Sequence, residues 1–264
     1  MRTENTIHTF IISLPKDADR REYLGQQLTS LNVPFSILDA VHGKSLSQAE
    51  LDTVYDRKRA LRLFNRELSA GEIGCALSHV AIYRKMVEEN IPHALVLEDD
   101  AHVLDQDLAA TLSALARLYP ERKRVAVMLN HVKRYDANKK TPLDDGRHVY
   151  DAYRGVCTHG YFITRAAAEV LLENLYPVYV VADKWEYFQD KYIDVKALVP
   201  YPIGLAPSSM SSSIEAMGNR TRKMMNSASL VYYIRRWSWQ LKIAITSRPF
   251  VRIERQEKSE LDLQ

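Results

Sequence analysis

A chain of 264 residues that is 46% hydrophobic can bury one large core, or one core plus an appendage. A formal net charge of only +3 predicts no nucleic-acid partner. Two cysteines, Cys75 and Cys157, without CxxC spacing or a nearby His/Cys cluster argue against zinc and against a disulfide framework, and both are expected to be buried thiols.

In chain order, Met1–Thr9 carries a single Arg, and the apolar run Phe10–Leu14 is too short for a signal peptide or a membrane span, so a cytoplasmic protein is expected. Ile7–Leu14 reads as a first strand. Asp19–Leu31, with Tyr23, Leu24, Gln27, Leu28 and Leu31 at helical spacing, is the helix that follows it. Phe35–Val41 is a second strand, closed by His42-Gly43. Two capping boxes come next: Ser47 with Glu50 opens a helix running toward Asn65, and Ser69 with Glu72 opens another running toward Asn90. His93–Leu97 is the central strand, Asp107–Tyr119 a helix and Arg124–Leu129 a further strand.

The polar segment Lys133–Asp151, with its Gly and Pro, predicts a mobile loop. Thr158–Thr164 is a strand feeding a helix over Arg165–Leu175, and Pro200–Ser213 is a return without periodicity. Strands alternating with helices predict an α/β fold with a mostly parallel central sheet covered on both faces. The expected division is a domain over 1–218 and a basic tail over 219–264. In the tail, Leu230, Ile234, Trp237, Leu241 and Ile245 share one helical stripe, and ten Lys/Arg between Arg220 and Lys258 face only Glu254 and Glu257. Such a helix lies on an anionic membrane surface, or packs on the domain or on a second copy in a homodimer.

The most informative segment is Ala94–Asp100, an apolar strand that runs into Glu98, Asp99 and Asp100. Alternation along a strand sends Glu98 and Asp100 to one side and Asp99 to the other. Two converging hard oxygen ligands at a strand end suit Mg²⁺ or Mn²⁺ held against a substrate diphosphate. A haloacid-dehalogenase-type phosphatase needs an aspartate at the first acidic position, where this chain has Glu98.

Four blocks together resemble glycosyltransferase family 25, the sugar transferases of lipopolysaccharide and lipooligosaccharide and of collagen. They are Ile11-Ile12-Ser13-Leu14 with Arg20-Arg21, the run Leu68–His79, Ala94–Asp100, and Gly160–Thr164 with its Ala-rich helix. The resemblance implies a GT-A-like fold, a UDP-sugar donor and an inverting, metal-dependent transfer. In it the acidic cluster is the DxD equivalent, with Asp100 as the direct Mn²⁺ (or Mg²⁺) ligand, Glu98 as a second ligand or a ribose contact, and Asp99 orienting the neighbouring loop or the donor sugar.

By the same resemblance Ser13, Leu14, Arg21, Ser78 and His79 lie about the nucleotide, with Arg20 beside them. The region of Asp183 and Glu186 supplies the general base, Asp183 being favoured. The implied activity is transfer of a hexose, chiefly galactose from UDP-galactose, to a lipid-linked oligosaccharide acceptor at the anionic inner leaflet of a bacterial inner membrane. UDP-glucose as donor, or a catalytically silent glycan- or membrane-binding adaptor, are the alternatives.

Overall fold

The computed structural model describes residues 7–143, 146–153, 155, 157–207, 237–238 and 252–258. The chain folds in the order β1 (His8–Ser13), α1 (Ala18–Ser30), β2 (Phe35–Asp39), α2 (Gln48–Val54), α3 (Arg57–Phe64), α4 (Ala70–Glu88), β3 (His93–Glu98), β4 (Ala101–Val103), α5 (Leu108–Leu118) and β5 (Val125–Met128). It continues through β6 (Tyr135–Pro142), β7 (His148–Ala152), β8 (Gly160–Thr164), α6 (Arg165–Leu175), α7 (Trp185–Lys191), β9 (Asp194–Val199), β10 (Ile203–Leu205) and β11 (Ile253–Glu254).

Among the described residues, nine strands form one sheet in the order β11-β6-β7-β9-β5-β8-β3-β1-β2, while β10 and β4 pair separately. Period-two alternation divides the core between the faces of this sheet. Phe10, Ile12, Ala94 and Val96 point into a cluster with α4, α6 and α7, whereas Ile11, Leu95 and Leu97 point into a second cluster with α1 and α5. Both faces are therefore covered, which explains why β3 reads as an unbroken apolar run. Each fully buried Leu or Val of this strand contributes roughly 1.5–3 kcal/mol, so a charge in place of Val96 would break the layer.

The sheet is mixed rather than mostly parallel. β1 runs parallel to β2 and to β3, and β5 runs parallel to β9. β8, however, lies antiparallel between β3 and β5, and the β9-β7-β6-β11 edge is antiparallel throughout. An apolar run fixes burial but not direction, and β8 is reached through a hairpin rather than a helical crossover.

The segment expected to be a mobile loop is that hairpin. β6 and β7 pair on either side of a turn at Gly146, which takes φ +81°. Lys139 and Lys196 both bond Asp151, so the polar residues that read as loop are the solvent-facing partners of an edge ribbon.

Both capping boxes form as read. The first does not carry a helix to Asn65, because the chain breaks at Tyr55-Asp56. Tyr55 bridges to Val178, Asp56 accepts from the Arg59 backbone N–H to start α3, and Asn65 ends that helix in a left-handed conformation. Neither cysteine is fully buried: Cys75 is half-buried and Cys157 is exposed at φ 64°.

The amphipathic stripe of the tail lies outside the described residues, apart from Trp237, which is 73% exposed. Residues 252–258 return to the sheet. β11 pairs with β6, and buried Gln256 accepts from the Val132 backbone N–H at 2.7 Å and donates to the Leu198 carbonyl at 3.2 Å.

Candidate functional site

The carboxyl ends of the three mutually parallel strands β2, β1 and β3 open into one cleft. Its walls are Leu14, Asp17 and Arg20 from the first β-α crossing, Ala40–Lys44 beyond β2, Gly71, Cys75 and Ser78 of α4, Glu98 at the end of β3, and Asp99 and Asp100 beyond it. A ligand cleft beyond the carboxyl ends of parallel strands follows from their topology.

The 40–44 wall depends on two glycines. Gly43 begins a 3₁₀ turn over Gly43–Ser45 that lies on α4 backbone to backbone. A Cβ at Gly43 would stand 1.8 Å from the Ala70 carbonyl oxygen, and one at Gly74 would stand 2.4 Å from the Val41 oxygen. Ser78 completes the join by accepting from the Val41 N–H at 2.9 Å while donating to the Gly74 carbonyl at 2.8 Å. The cleft contribution of His42 and Lys44 was missed in the sequence, where His42-Gly43 read only as a strand end. The one available signal was the small-residue face Gly71, Gly74, Cys75, Ser78 on a capped helix.

The three acids take different surroundings. Asp99 accepts from Ser13 Oγ at 2.6 Å and Arg20 Nη1 at 2.7 Å, and its backbone N–H donates to the Ile12 carbonyl. Arg21 donates to the Ser13 carbonyl and to Asp39, each at 2.6 Å. Ser13, Arg20, Arg21 and Asp99 thus clamp β1, α1 and the end of β3 together, with Leu14, Arg20 and Asp99 at the cleft surface. Burial raises the Asp99 carboxyl above its ordinary value in spite of Ser13 and Arg20.

For Glu98, burial would raise the carboxyl, yet His79, Thr158 and the charge of His159 outweigh it and hold it below the usual range. His79 Nε2 stands 3.3 Å from Glu98 Oε1, and the Thr158 hydroxyl donates to the same oxygen. His79 is itself buried, with Nδ1 2.8 Å from the Tyr161 hydroxyl. It sits behind the cleft as a positioning residue for Glu98. Thr158 and Tyr161 are further members of this support that the sequence did not single out, since nothing marks them until β8 pairs with β3.

Asp100 stands apart. Its Oδ1 is buried and finds no hydrogen-bond partner among the described residues. Burial first, then the charges of Glu98 and Asp99, push its carboxyl up to about 7. A buried carboxylate oxygen without a donor is costly unless a cation meets it. The oxygen-only donor set of Asp100 with Glu98 fits a hard divalent ion such as Mg²⁺ or Mn²⁺.

Asp183 and Glu186 lie outside the cleft lining. Asp183 is exposed on the turn before α7, and Lys184, not Asp183, occupies the cap position of that helix. The charge of Asp183 acts together with those of Glu98 and Asp100 on both thiols, Cys75 and Cys157, which puts the three carboxylates in one electrostatic neighbourhood. Glu186 stands half-buried in the first turn of α7. Trp185 between them is core: it is fully buried, edge-on to Tyr161, and donates to the Cys157 carbonyl at 2.8 Å.

Residues 6–185 match the model of glycosyltransferase family 25 (LPS biosynthesis protein). A Haemophilus influenzae protein with glycosyltransferase in its name is 26% identical over 168 residues, covering 63% of this chain and 57% of that protein. Procollagen galactosyltransferase 1-A of Xenopus laevis is 29% identical, covering 62% of this chain and 27% of its own length. Human procollagen galactosyltransferase 2 is 24% identical, covering 75% and 34% respectively. The chain thus spans a little over half of the first relative and about a third or less of the two collagen-modifying ones. The family match takes in every wall of the cleft and both Asp183 and Trp185, and the chain belongs to glycosyltransferase family 25.

Proposed function

We propose that the chain is a GT-A-like, metal-dependent inverting glycosyltransferase that transfers galactose from UDP-galactose to the oligosaccharide of a bacterial lipopolysaccharide or lipooligosaccharide. The observation that carries this reading is the buried Oδ1 of Asp100, without a hydrogen-bond partner among the described residues, in a cleft formed by three parallel strand ends. Asp100, with Glu98 beside it, would hold the divalent ion, which when bound supplies charge to stabilise a leaving diphosphate. Galactose as the sugar is favoured by the galactosyltransferase names among the relatives.

In this reading the chain's own groups divide the work. The Arg20–Asp99–Ser13 clamp fixes the cleft edge, and His79 and Thr158 hold Glu98 in one orientation. Lys44 and His42 face the ligand from the opposite wall. Inversion requires a base that takes the proton of the acceptor hydroxyl, and Asp183, exposed on the turn before α7, is our choice. The basic amphipathic tail would keep the enzyme on the anionic inner leaflet, where a lipid-anchored acceptor lies. No described helix is long and apolar enough to cross a membrane.

Thermal stabilisation by a panel of UDP-sugars, with and without Mn²⁺, tests the reading. UDP-galactose should raise the melting temperature most, and only with the metal. Equal stabilisation by UDP-glucose would move the donor to glucose. No response to any UDP-sugar would leave a silent adaptor.

A further inference from the structure

Cys75 and Glu98 of the cleft wall, with His79 behind them, make a softer set of ligand atoms than the Asp100 site. Among the described residues, Cys75, His79 and Glu98 each present one ligand atom, all within 4.8 Å of one another. Cys75 and His79 are one turn apart on the same face of α4, and Glu98 reaches them from the end of β3. Two ligands at helical spacing and a third from a distant strand make no linear motif, so the expectation of no zinc chemistry could not register them.

Both ring nitrogens of His79 are held. Nδ1 lies 2.8 Å from the Tyr161 hydroxyl, which is also 3.2 Å from Tyr83 Oη, and Nε2 faces Glu98 Oε1 at 3.3 Å. An imidazole whose far nitrogen is tied to a buried hydroxyl is oriented as a metal-binding histidine is. Tyr161 is fixed for that duty, being fully buried against Trp185 with ring centroids 4.9 Å apart.

We propose that Cys75 Sγ, His79 Nε2 and Glu98 form a second cation site of the Zn²⁺ class, with a fourth position open to the cleft. Sulfur and imidazole together select a borderline ion over Mg²⁺ or Mn²⁺. Metal–ligand distances of about 2.0–2.3 Å require the trio to draw in by about 1 Å, a movement that side-chain rotation of Cys75 supplies. The site shares Glu98 with the cleft's hard-oxygen site, so occupancy of one draws on the other. Its existence depends on these three residues and not on whether the chain transfers a sugar.

Titration of the full-length protein with Co²⁺, read by absorption, tests the site. Wild type and Cys157→Ser should both show tetrahedral d–d bands and a sulfur-to-cobalt charge-transfer band at stoichiometric metal, removed by added Zn²⁺ but not by Mg²⁺. Cys75→Ser, confirmed folded by its melting curve, should lose the sulfur band and bind Zn²⁺ at least about tenfold more weakly. A wild-type spectrum without the sulfur band would overturn the proposal regardless of how the variants fold. So would a band that survives in Cys75→Ser.

Discussion

At the scale of single residues, the acidic run shows how one sequence motif is divided by its neighbours. Asp99 is spent on Ser13 and Arg20, Glu98 is held by His79 and Thr158, and Asp100 is left with a buried oxygen that finds no donor among the described residues. Strand alternation is not what divides them, because β3 ends at Glu98 and Asp99-Asp100 form the turn that follows it. The supports of Glu98 were invisible, because Thr158 and Tyr161 arrive through an antiparallel pairing that the apolar pattern does not specify.

The Asp100 carboxyl, pushed up to about 7 by burial and then by Glu98 and Asp99, keeps a proton that the unfolded chain loses near pH 4. Rising pH therefore destabilises the metal-free fold across about pH 4–7 through this group. Asp100→Asn removes that titration. In chelator, the variant's stability relative to wild type should grow by at least about 1 kcal/mol between those limits and then level off, as read by urea unfolding. A difference independent of pH would show that Asp100 is not perturbed. Asp183→Asn should leave UDP affinity unchanged and abolish transfer, since a base acts on the acceptor. Loss of UDP affinity in a binding titration would move Asp183 to the donor side.

Among the elements, those with local causes are legible in the sequence. The two capping boxes open α2 and α4, Arg165–Leu175 is a helix with Thr164 accepting from the Ala167 N–H, and β3 begins and ends within a residue of its apolar run. The break at Tyr55-Asp56 was not legible, because its cause is a bridge to Val178, more than a hundred residues away. The join between the 3₁₀ turn and α4 is likewise long-range, but it leaves a pair of glycines as its trace. Gly43→Ala should cost about 2–4 kcal/mol, because the added carbon meets backbone that cannot rotate away. It should also weaken nucleotide binding by displacing His42 and Lys44. Chemical denaturation and nucleotide titration check both, and unchanged stability would mean that the turn is free to lift from the helix.

At the scale of the whole molecule, the α/β class and the double coverage of the sheet were legible from alternating strands and helices. Strand direction was not, and the antiparallel edge was read as loop because its polar residues face solvent. That edge ends in β11, contributed by the last described stretch of the chain, with Gln256 stapling Val132 and Leu198. Gln256→Ala leaves a buried N–H without an acceptor and should destabilise the domain by about 1–3 kcal/mol; an unchanged melting temperature would make β11 a passive addition. For the same reason, deleting the basic tail outright would confound membrane binding with loss of the sheet edge. Substituting Trp237, which is exposed, is the cleaner test of vesicle co-sedimentation.

Calorimetry with UDP-galactose tests whether Asp100 joins a metal ion to a nucleotide-sugar donor in this cleft. Wild type should bind the donor with Mn²⁺ and at least about a hundredfold more weakly in chelator, while Asp100→Asn, equally folded, should bind weakly in both, because a neutral amide replaces an anionic ligand of the same shape. Donor binding that is tight without metal, or that survives Asp100→Asn with its metal dependence intact, would contradict the account.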